Sequence, residues 1–279
     1  MDNRPIGMFD SGVGGLTVFK EVKKELPYEK IIYIGDTKSF PYGSKTKEAI
    51  IDLSKKCIDF LISKNVKAII IACGTATSQA LETVQKIYNI PIIGIIEPTV
   101  EYIKEKKYKK IGVIATRGTI KSGSWEKQLK SKIKDIEVEN KACPLLAPMA
   151  EEGWIENEIA NLTIKEYLKG FVNIDALILG CTHYPLFEKI IEKVLPKTKI
   201  INTGTIIAKY LKQNQDLKNM LNEDYKFKKE VIEIQNQDEF YLTDDECNFI
   251  DVADKILNKK IKIKEAWNKL EMESIWNKI

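Results

Sequence analysis

Two segments of the chain share one pattern, an apolar run that ends in a cysteine followed by small or hydroxyl residues. They are AIIIACGTAT at 68–77 and ALILGCTHYP at 176–185, and they align without a gap as far as Cys73 and Cys181. Short apolar runs are typical of buried strands, and ligands of parallel α/β sheets bind outside the carboxyl ends of the strands. The repeat therefore predicts two similar sheets, each with a cysteine at a strand end.

A second pair of segments supports this repeat. PIGMFDSGVGG at 5–15 resembles KIGVIATRGT at 110–119, because in both a strand beginning with Ile-Gly ends in a turn that starts a helix. The offset is 105 residues for this pair and 108 residues for the two cysteines. Two similar offsets predict two α/β units of like design that face each other across a shared cleft.

Apolar runs alternate with amphipathic stretches along most of the chain, as in proteins built from βαβ units. Helices are predicted at 46–64, 75–88 and 185–194. After residue 206 we expect a helix, a lysine-rich linker, two short strands around 231–242 and two final helices, packed on the first unit. The other predicted strands are 5–9, 31–35, 67–72, 91–95, 111–115, 136–140, 175–179 and 198–201.

The predicted fold class is therefore α/β. It consists of two similar parallel-sheet α/β domains related by a pseudo-two-fold axis, with the active site in the cleft between them. Residues 1–97 with 206–279 form the first predicted domain, and residues 98–205 form the second.

Composition narrows the class of protein. Hydrophobic residues make up 44% of the chain and charged residues 30%, as in globular proteins, and the apolar runs are too short to span a bilayer. No signal peptide is evident. The five cysteines include no CxxC pair, which argues against a disulfide framework and a thiolate zinc site. We expect a cytoplasmic protein with free thiols and no membrane partner.

The net charge of +4 does not indicate a nucleic-acid partner. Arg4 and Arg117 are the only arginines, and arginine is the residue that binds phosphate and guanine with two parallel hydrogen bonds. The lysines alternate with glutamates along predicted helices, a pattern typical of solvated faces.

The matched cysteines carry the chemical prediction. Each is expected at the start of a helix, where the helix dipole lowers the pKa of a thiol. Two thiols on opposite sides of one cleft can remove a proton from one face of a carbon and return one to the other face, which inverts a stereocentre without a cofactor. His183 is the only histidine, so a site with several histidine ligands to a metal is excluded. Three cysteines lack this context and are expected to be packing residues: Cys57, Cys143 and Cys247.

The loop DSGVGG at 10–15 has more than one interpretation. It follows a strand and precedes a helix, as a dinucleotide-binding loop does, but its spacing is GxGG and it begins with an anion, Asp10. A helix N-terminus there suits a smaller anion such as a carboxylate. The remaining alternative is a structural turn in which Ser11 caps the helix.

Several stretches together are specific for one family: IGMFDSGVGGLTV, DTKSFPYGSK, IIIACGTAT, IGVIATRGTIKSG, CPLLAPMAEEGW and ALILGCTHYPLF. In these residues the chain resembles the glutamate racemases of the aspartate/glutamate racemase superfamily, over nearly its whole length. FYLTDDECNF is similar to the C-terminal segment of that family. The resemblance implies interconversion of L- and D-glutamate without a cofactor or a metal, a supply of D-glutamate for peptidoglycan, and a possible homodimer.

The resemblance also implies residue roles. Cys73 and Cys181 match the two catalytic acid/base cysteines, Cys73 acting on D-glutamate and Cys181 on L-glutamate. Asp10 and His183 match residues that assist the thiols. Positions near the site or at the cleft rim are matched by Asp36, Glu151, Thr116 and Thr119. Substrate-binding positions are matched by Asp10, Ser11, Tyr42, Gly43, Gly74, Thr75, Thr182 and His183.

Gly74 departs from the family pattern, because the family most often has Asn after the first cysteine. The side-chain amide is absent, while the backbone N–H of Gly74 can still donate to a substrate. INTG at 201–204 is a second departure, since many members have Asp-Ser-Gly there. We expect weaker or altered substrate contacts with the proton chemistry retained, and a different substrate preference stays open.

Two other function classes compete with racemisation. A cysteine hydrolase would use Cys181 as nucleophile and His183 as base, which is an awkward reach for residues two apart and leaves Cys73 without a role. A non-catalytic amino-acid-binding module is the third class. The Cys73→Ala variant separates the three, since only a racemase loses an activity through it.

Overall fold

The structure is a computed structural model that describes residues 2–214, 220–221, 237–244 and 249–266. It contains two parallel sheets with helices on both faces. The strands are β1 (Ile6–Asp10), β2 (Ile31–Gly35), β3 (Ala68–Ile71), β4 (Ile92–Gly94), β5 (Lys110–Ala115), β6 (Glu137–Ala142), β7 (Ala176–Leu179), β8 (Lys199–Asn202), β9 (Glu239–Leu242) and β10 (Ile263–Glu265).

Helices connect successive strands and begin at recognisable signals. Thr46 caps one of them, because its hydroxyl accepts a hydrogen bond from the N–H of Ala49 at 3.3 Å. The helices are α1 (Gly15–Glu25), α2 (Lys47–Ser63), α3 (Gly74–Ile87), α4 (Ile96–Lys106), α5 (Arg117–Ser122), α6 (Ser124–Lys132), α7 (Leu146–Glu151), α8 (Glu158–Leu168), α9 (Glu188–Val194), α10 (Thr203–Gln213) and α11 (Phe249–Leu257).

The two sheets repeat one strand order. The first sheet has the order β10-β9-β2-β1-β3-β4 and the second has the order β6-β5-β7-β8, so β5 to β8 follow the arrangement of β1 to β4. The register repeats as well, because Ile6 pairs with Ala68 in the first sheet and Ile111 pairs with Ala176 in the second. The predicted α/β fold with two similar parallel sheets is confirmed.

All eight strands predicted before residue 206 are present, and none of their ends differs by more than two residues. Of the two short strands predicted around 231–242, β9 is present and pairs with β2. Residues 231–236 lie outside the described part of the chain. Strand β10 was not predicted, because its lysine-rich sequence has no apolar run. It forms the edge of the first sheet, where charged residues are common. Of the two final helices, α11 is present, and residues 267–279 are not described.

A continuous apolar core joins the two sheets. Met8 and Ile70 of the first sheet belong to the same buried cluster as Val113 and Ile178 of the second. Helices α1, α4 and α10 contribute to this cluster, while α2 with α3 and α7 with α9 cover the outer faces. Because both faces of each sheet are covered, most of the strands read as unbroken apolar runs.

The predicted domain boundaries fall inside helices. Helix α4 contains the boundary at 97/98 and α10 contains the boundary at 205/206, and both helices contribute to the core between the sheets. The boundaries therefore stay a prediction. Within the described part of the chain, no helix has the length and apolar character needed to cross a membrane.

The cysteines outside the repeat are buried as expected where the chain is described. Cys57 packs on the outer side of the first sheet and Cys143 on the outer side of the second. Both are free thiols, and burial raises the pKa of the Cys143 thiol to about 12. Cys247 lies outside the described residues.

Candidate active site

One pocket lies where the carboxyl ends of the two sheets meet. About 270 Å³ not filled by atoms lies in this pocket and its opening to solvent. Cys73 follows β3 and Cys181 follows β7, so the thiols come from equivalent strand ends. The pocket is lined by Ser11, Phe40, Pro41, Tyr42, Gly43, Cys73, Gly74, Thr75, Thr116, Ala147, Cys181, Thr182 and His183.

Cys73 caps the first turn of α3. Its Sγ accepts a hydrogen bond from the N–H of Ala76 at 3.5 Å and donates to the hydroxyl of Ser11 at 3.8 Å. Burial and the charge of Asp10 raise the pKa of the Cys73 thiol above its ordinary value, and the hydrogen bond from Ala76 offsets only part of this. The predicted lowering of this pKa is therefore wrong, because only 4% of the residue is exposed and a thiolate there loses its hydration.

Cys181 does not begin an α-helix, contrary to the prediction. A turn and a short 3₁₀ segment, Tyr184–Phe187, separate it from α9. The turn is held by the other half of the molecule, because Thr17 donates from its hydroxyl to the carbonyl oxygen of Thr182 at 2.8 Å. These contacts, rather than a helix, position the Cys181 thiol.

His183 links Cys181 to a buried carboxylate. Its Nδ1 lies 3.7 Å from the Sγ of Cys181 and its Nε2 lies 2.6 Å from Oε1 of Glu151. Burial alone would lower the pKa of His183, but its bonds to Cys181 and Glu151 raise that pKa well above 6.5. Both neighbours therefore favour the protonated form of the imidazole. The expectation that His183 reaches Cys181 only awkwardly is wrong, because the two side chains are in contact.

Asp10 lies behind the pocket and outside its lining. Its carboxylate accepts hydrogen bonds from the hydroxyl of Thr182 at 3.0 Å and from the N–H of Gly12 at 3.1 Å. Complete burial raises the pKa of Asp10 to about 6, and the charge of His183 limits the rise. Asp10 thus contacts the Cys181 side through Thr182, while its neighbour Ser11 contacts Cys73.

The glycines of the DSGVGG loop allow the two halves to approach closely. A Cβ on Gly12 would lie 2.3 Å from Oε1 of Glu151, and a Cβ on Gly14 would lie 2.5 Å from Nδ1 of His183. The N–H of Val13 donates to Glu151 at 2.9 Å, so a carboxylate of the protein itself occupies the position that a dinucleotide phosphate would need. The cap of α1 is Gly14, without a side-chain bond, so the alternative in which Ser11 caps this helix is wrong.

Comparisons with known proteins identify the family of this chain. The family model described as Asp/Glu/Hydantoin racemase matches residues 14–211, which is most of the chain. The chain belongs to the Asp/Glu/Hydantoin racemase family. The family resemblance predicted from the sequence motifs is therefore confirmed.

Individual relatives of this racemase are similar over most of its length. The glutamate racemase of Persephonella marina is 42% identical over 274 residues, which covers 97% of this chain and 98% of the relative. That of Sulfurihydrogenibium sp. is 51% identical over 212 residues, 75% of this chain and 82% of the relative. The crystal structure of the Francisella tularensis glutamate racemase in complex with D-glutamate superposes with a TM-score of 0.85 at 38% identity, over 95% of this chain and 98% of that one.

The other candidate residues of the racemase fall into two groups. The residues implied to bind substrate line the pocket, apart from Asp10. Asp36 lies behind the pocket, where it accepts hydrogen bonds from Tyr42 at 2.6 Å and from Thr243 at 2.8 Å. Glu151 does not line the pocket, but its carboxylate contacts His183, which does. The functional roles of Asp36 and Glu151 stay predictions.

Three threonines join the two halves at the pocket rim. The hydroxyls of Thr75 and Thr116 are 2.8 Å apart, and Thr119 lies 3.0 Å from Thr116 and 3.2 Å from Thr75. Thr116 lines the pocket and Thr119 does not. The three hydroxyls therefore connect the two halves, and those of Thr75 and Thr116 also belong to residues that line the pocket.

Three lining residues were not among the predicted site residues. Phe40, Pro41 and Ala147 all contribute to the pocket wall. Phe40 packs its ring 5.6 Å from that of His183. The signal was present, because Phe40 and Pro41 belong to the FPYG motif and Ala147 to CPLLAPMAEEGW. Sequence reasoning favoured polar residues there and so omitted the apolar wall.

Proposed function

We propose that this chain is a glutamate racemase in which Cys73 and Cys181 exchange the α-proton of glutamate on opposite faces of the substrate. The observation that supports this most directly is that two thiols from equivalent strand ends line one small pocket. The similar Francisella tularensis protein binds D-glutamate, which supports the choice of substrate.

The surroundings of the two thiols support a different role for each. The Nδ1 of His183 lies 3.7 Å from the Sγ of Cys181, so this ring, whose own pKa is raised, can stabilise negative charge that develops on that sulfur during the reaction. The raised pKa keeps Cys73 a neutral thiol. In the conversion of L-glutamate, the Cys181 thiolate takes the α-proton and the Cys73 thiol gives its proton to the other face of the carbanion. The product is D-glutamate, with a thiolate on Cys73 and a thiol on Cys181.

The carbanion needs stabilisation, because the α-proton of an amino acid is far less acidic than a thiol. Hydroxyls of Ser11, Thr75 and Thr182 line the pocket and can donate to the substrate carboxylates as charge develops. After turnover the enzyme returns to its resting state by the reverse reaction or by proton exchange. Glu151 and His183 assist on the Cys181 side, since Glu151 holds the imidazole that contacts the Cys181 sulfur.

One contact favours a second candidate, a cysteine hydrolase. The series Cys181, His183 and Glu151 has the order of a nucleophile, a base and an orienting acid. This alternative leaves Cys73 without a role. A hydrolase would therefore keep its activity in the Cys73→Ala variant, whereas the racemase would lose it.

The experiment uses the purified protein with L-glutamate in D₂O and no added cofactor. We expect loss of the circular dichroism signal together with deuterium at the α-carbon. Cys73→Ala and Cys181→Ala should each lower racemisation by at least 10²–10⁴-fold, the usual contribution of one acid/base group. Cys57→Ala is the control, because Cys57 is equally buried but does not line the pocket. Full activity in either pocket variant would reject the two-thiol mechanism.

We also propose that the product supplies peptidoglycan synthesis in the cytoplasm. The test is a bacterial strain that requires D-glutamate for growth. The wild-type chain should restore growth without the supplement, and the Cys73→Ala variant should not. Growth supported equally by both would contradict the proposed role.

A further inference from the structure

Gly74 touches the backbone of the opposite half. A Cβ built on Gly74 would lie 2.1 Å from the carbonyl oxygen of Gly180 and 3.2 Å from its carbonyl carbon. Gly74 directly follows Cys73, and Gly180 directly precedes Cys181. The two strand ends that carry the thiols are therefore in backbone contact, and a side chain at position 74 has no room.

The Gly180 side of this contact has little freedom to move away. The N–H of Gly180 donates to the carbonyl oxygen of Ile114 at 2.8 Å, which fixes the peptide to β5. A Cβ on Gly180 would lie 3.0 Å from both that oxygen and Nε1 of Trp125, so Gly180 is enclosed from behind. Backbone atoms cannot rotate aside as a flexible side chain does. Any added atom at position 74 must therefore separate the two strand ends.

We propose that Gly74 is a positioning and specificity-determining residue that sets the spacing between the thiols of Cys73 and Cys181. The missing side chain lets the halves close to backbone contact and keeps the pocket short. A Cβ would need to move from 2.1 Å to an ordinary contact distance above 3 Å, so the strand ends would separate by roughly 1 Å. The proposal rests on the racemase function for its kinetic consequences, but the spacing itself does not.

The kinetic test compares Gly74→Ala with Gly170→Ala. Gly170 has no heavy atom within 4 Å of a Cβ, so its substitution should leave racemisation unchanged. A misplacement of about 1 Å costs on the order of 10²-fold in rate, so kcat for glutamate should fall by that factor in Gly74→Ala. The ratio of kcat/KM for 2-aminoadipate, which is one methylene longer, to that for glutamate should rise. Overpacking at position 74 should also lower the melting temperature, so the rates are compared at a temperature where both variants stay folded. An unchanged kcat, or a lower kcat with an unchanged ratio, would overturn the proposal.

A second measurement does not depend on the substrate. Cys73 and Cys181 are only 4% and 6% exposed, so both should react slowly with iodoacetamide in the wild type. Mass spectrometry should show faster alkylation of both in Gly74→Ala and wild-type rates in Gly170→Ala. If alkylation is faster in Gly74→Ala but the wild-type protein does not racemise glutamate, the proposed function is rejected and the proposed spacing is kept. Wild-type racemisation with equal alkylation rates would reject the spacing and keep the function.

Discussion

Asp10 should make the stability of this protein fall as the pH rises. Burial raises its pKa from 3.8 to about 6. A group with a folded-state pKa above its unfolded value stabilises the fold fully below the unfolded pKa and loses that contribution as the pH rises through the folded pKa. At about 1.4 kcal/mol per pH unit, the shift corresponds to about 3 kcal/mol, most of it between pH 4 and pH 7.

The Asp10→Asn variant removes this titration. We expect its free energy of unfolding, relative to the wild type, to rise by about 2–3 kcal/mol from pH 4 to pH 8. The offset at any one pH is less informative, because asparagine has only one acceptor for the hydrogen bonds from Gly12 and Thr182. The diagnostic quantity is therefore the dependence of the difference on pH.

The assay is urea unfolding followed by tryptophan fluorescence at intervals between pH 4 and pH 8. Asp52→Asn is the matched control, since it makes the same substitution at an exposed position on α2. A pH-independent difference between wild type and Asp10→Asn, or one of opposite sign, would refute the argument that burial of the Asp10 charge is costly.

Three further substitutions test other contacts. Glu151→Gln removes a charge that raises the pKa of His183, so this pKa should fall. Because the chain has a single histidine, an NMR titration measures its pKa directly, and an unchanged pKa would contradict the role given to Glu151. Lys67→Met leaves Glu29 without its 2.7 Å ion pair in a fully buried place and should cost about 3–5 kcal/mol in urea unfolding, whereas a loss under 1 kcal/mol would contradict burial of the pair. Gly14→Ala should lower kcat through contact with the His183 ring, and wild-type kinetics would show that the loop yields instead.

Much of the fold could be predicted because its signals are local. The apolar run before Cys73 and the one before Cys181 give both strands, and the similar offsets predicted the two similar parallel sheets. The repeated register of Ile6 with Ala68 and Ile111 with Ala176 is seen only in the structure. Strand β10 could not be predicted, because it depends on an edge offered by β9 rather than on its own sequence.

The electrostatics of the site depend on distant parts of the chain. A helix start alone predicts an acidic thiol at Cys73, but burial by both halves decides the opposite direction. The 2.6 Å bond between His183 and Glu151 joins residues 32 apart in sequence, and no pattern near either residue indicates it. Contact between Gly74 and Gly180 is equally invisible in sequence, since it exists only once the two sheets meet.

The core that the two sheets share couples their unfolding. Met8 and Ile70 lose their apolar neighbours if the second sheet unfolds, and Val113 and Ile178 lose theirs if the first does. Each buried Å² of apolar surface is worth about 25 cal/mol, so unfolding of one half removes part of the stabilisation of the other, and we expect the two halves to unfold together. A calorimeter should accordingly record one endotherm for the whole chain, and a protease that cuts between the sheets should find no stable fragment to release.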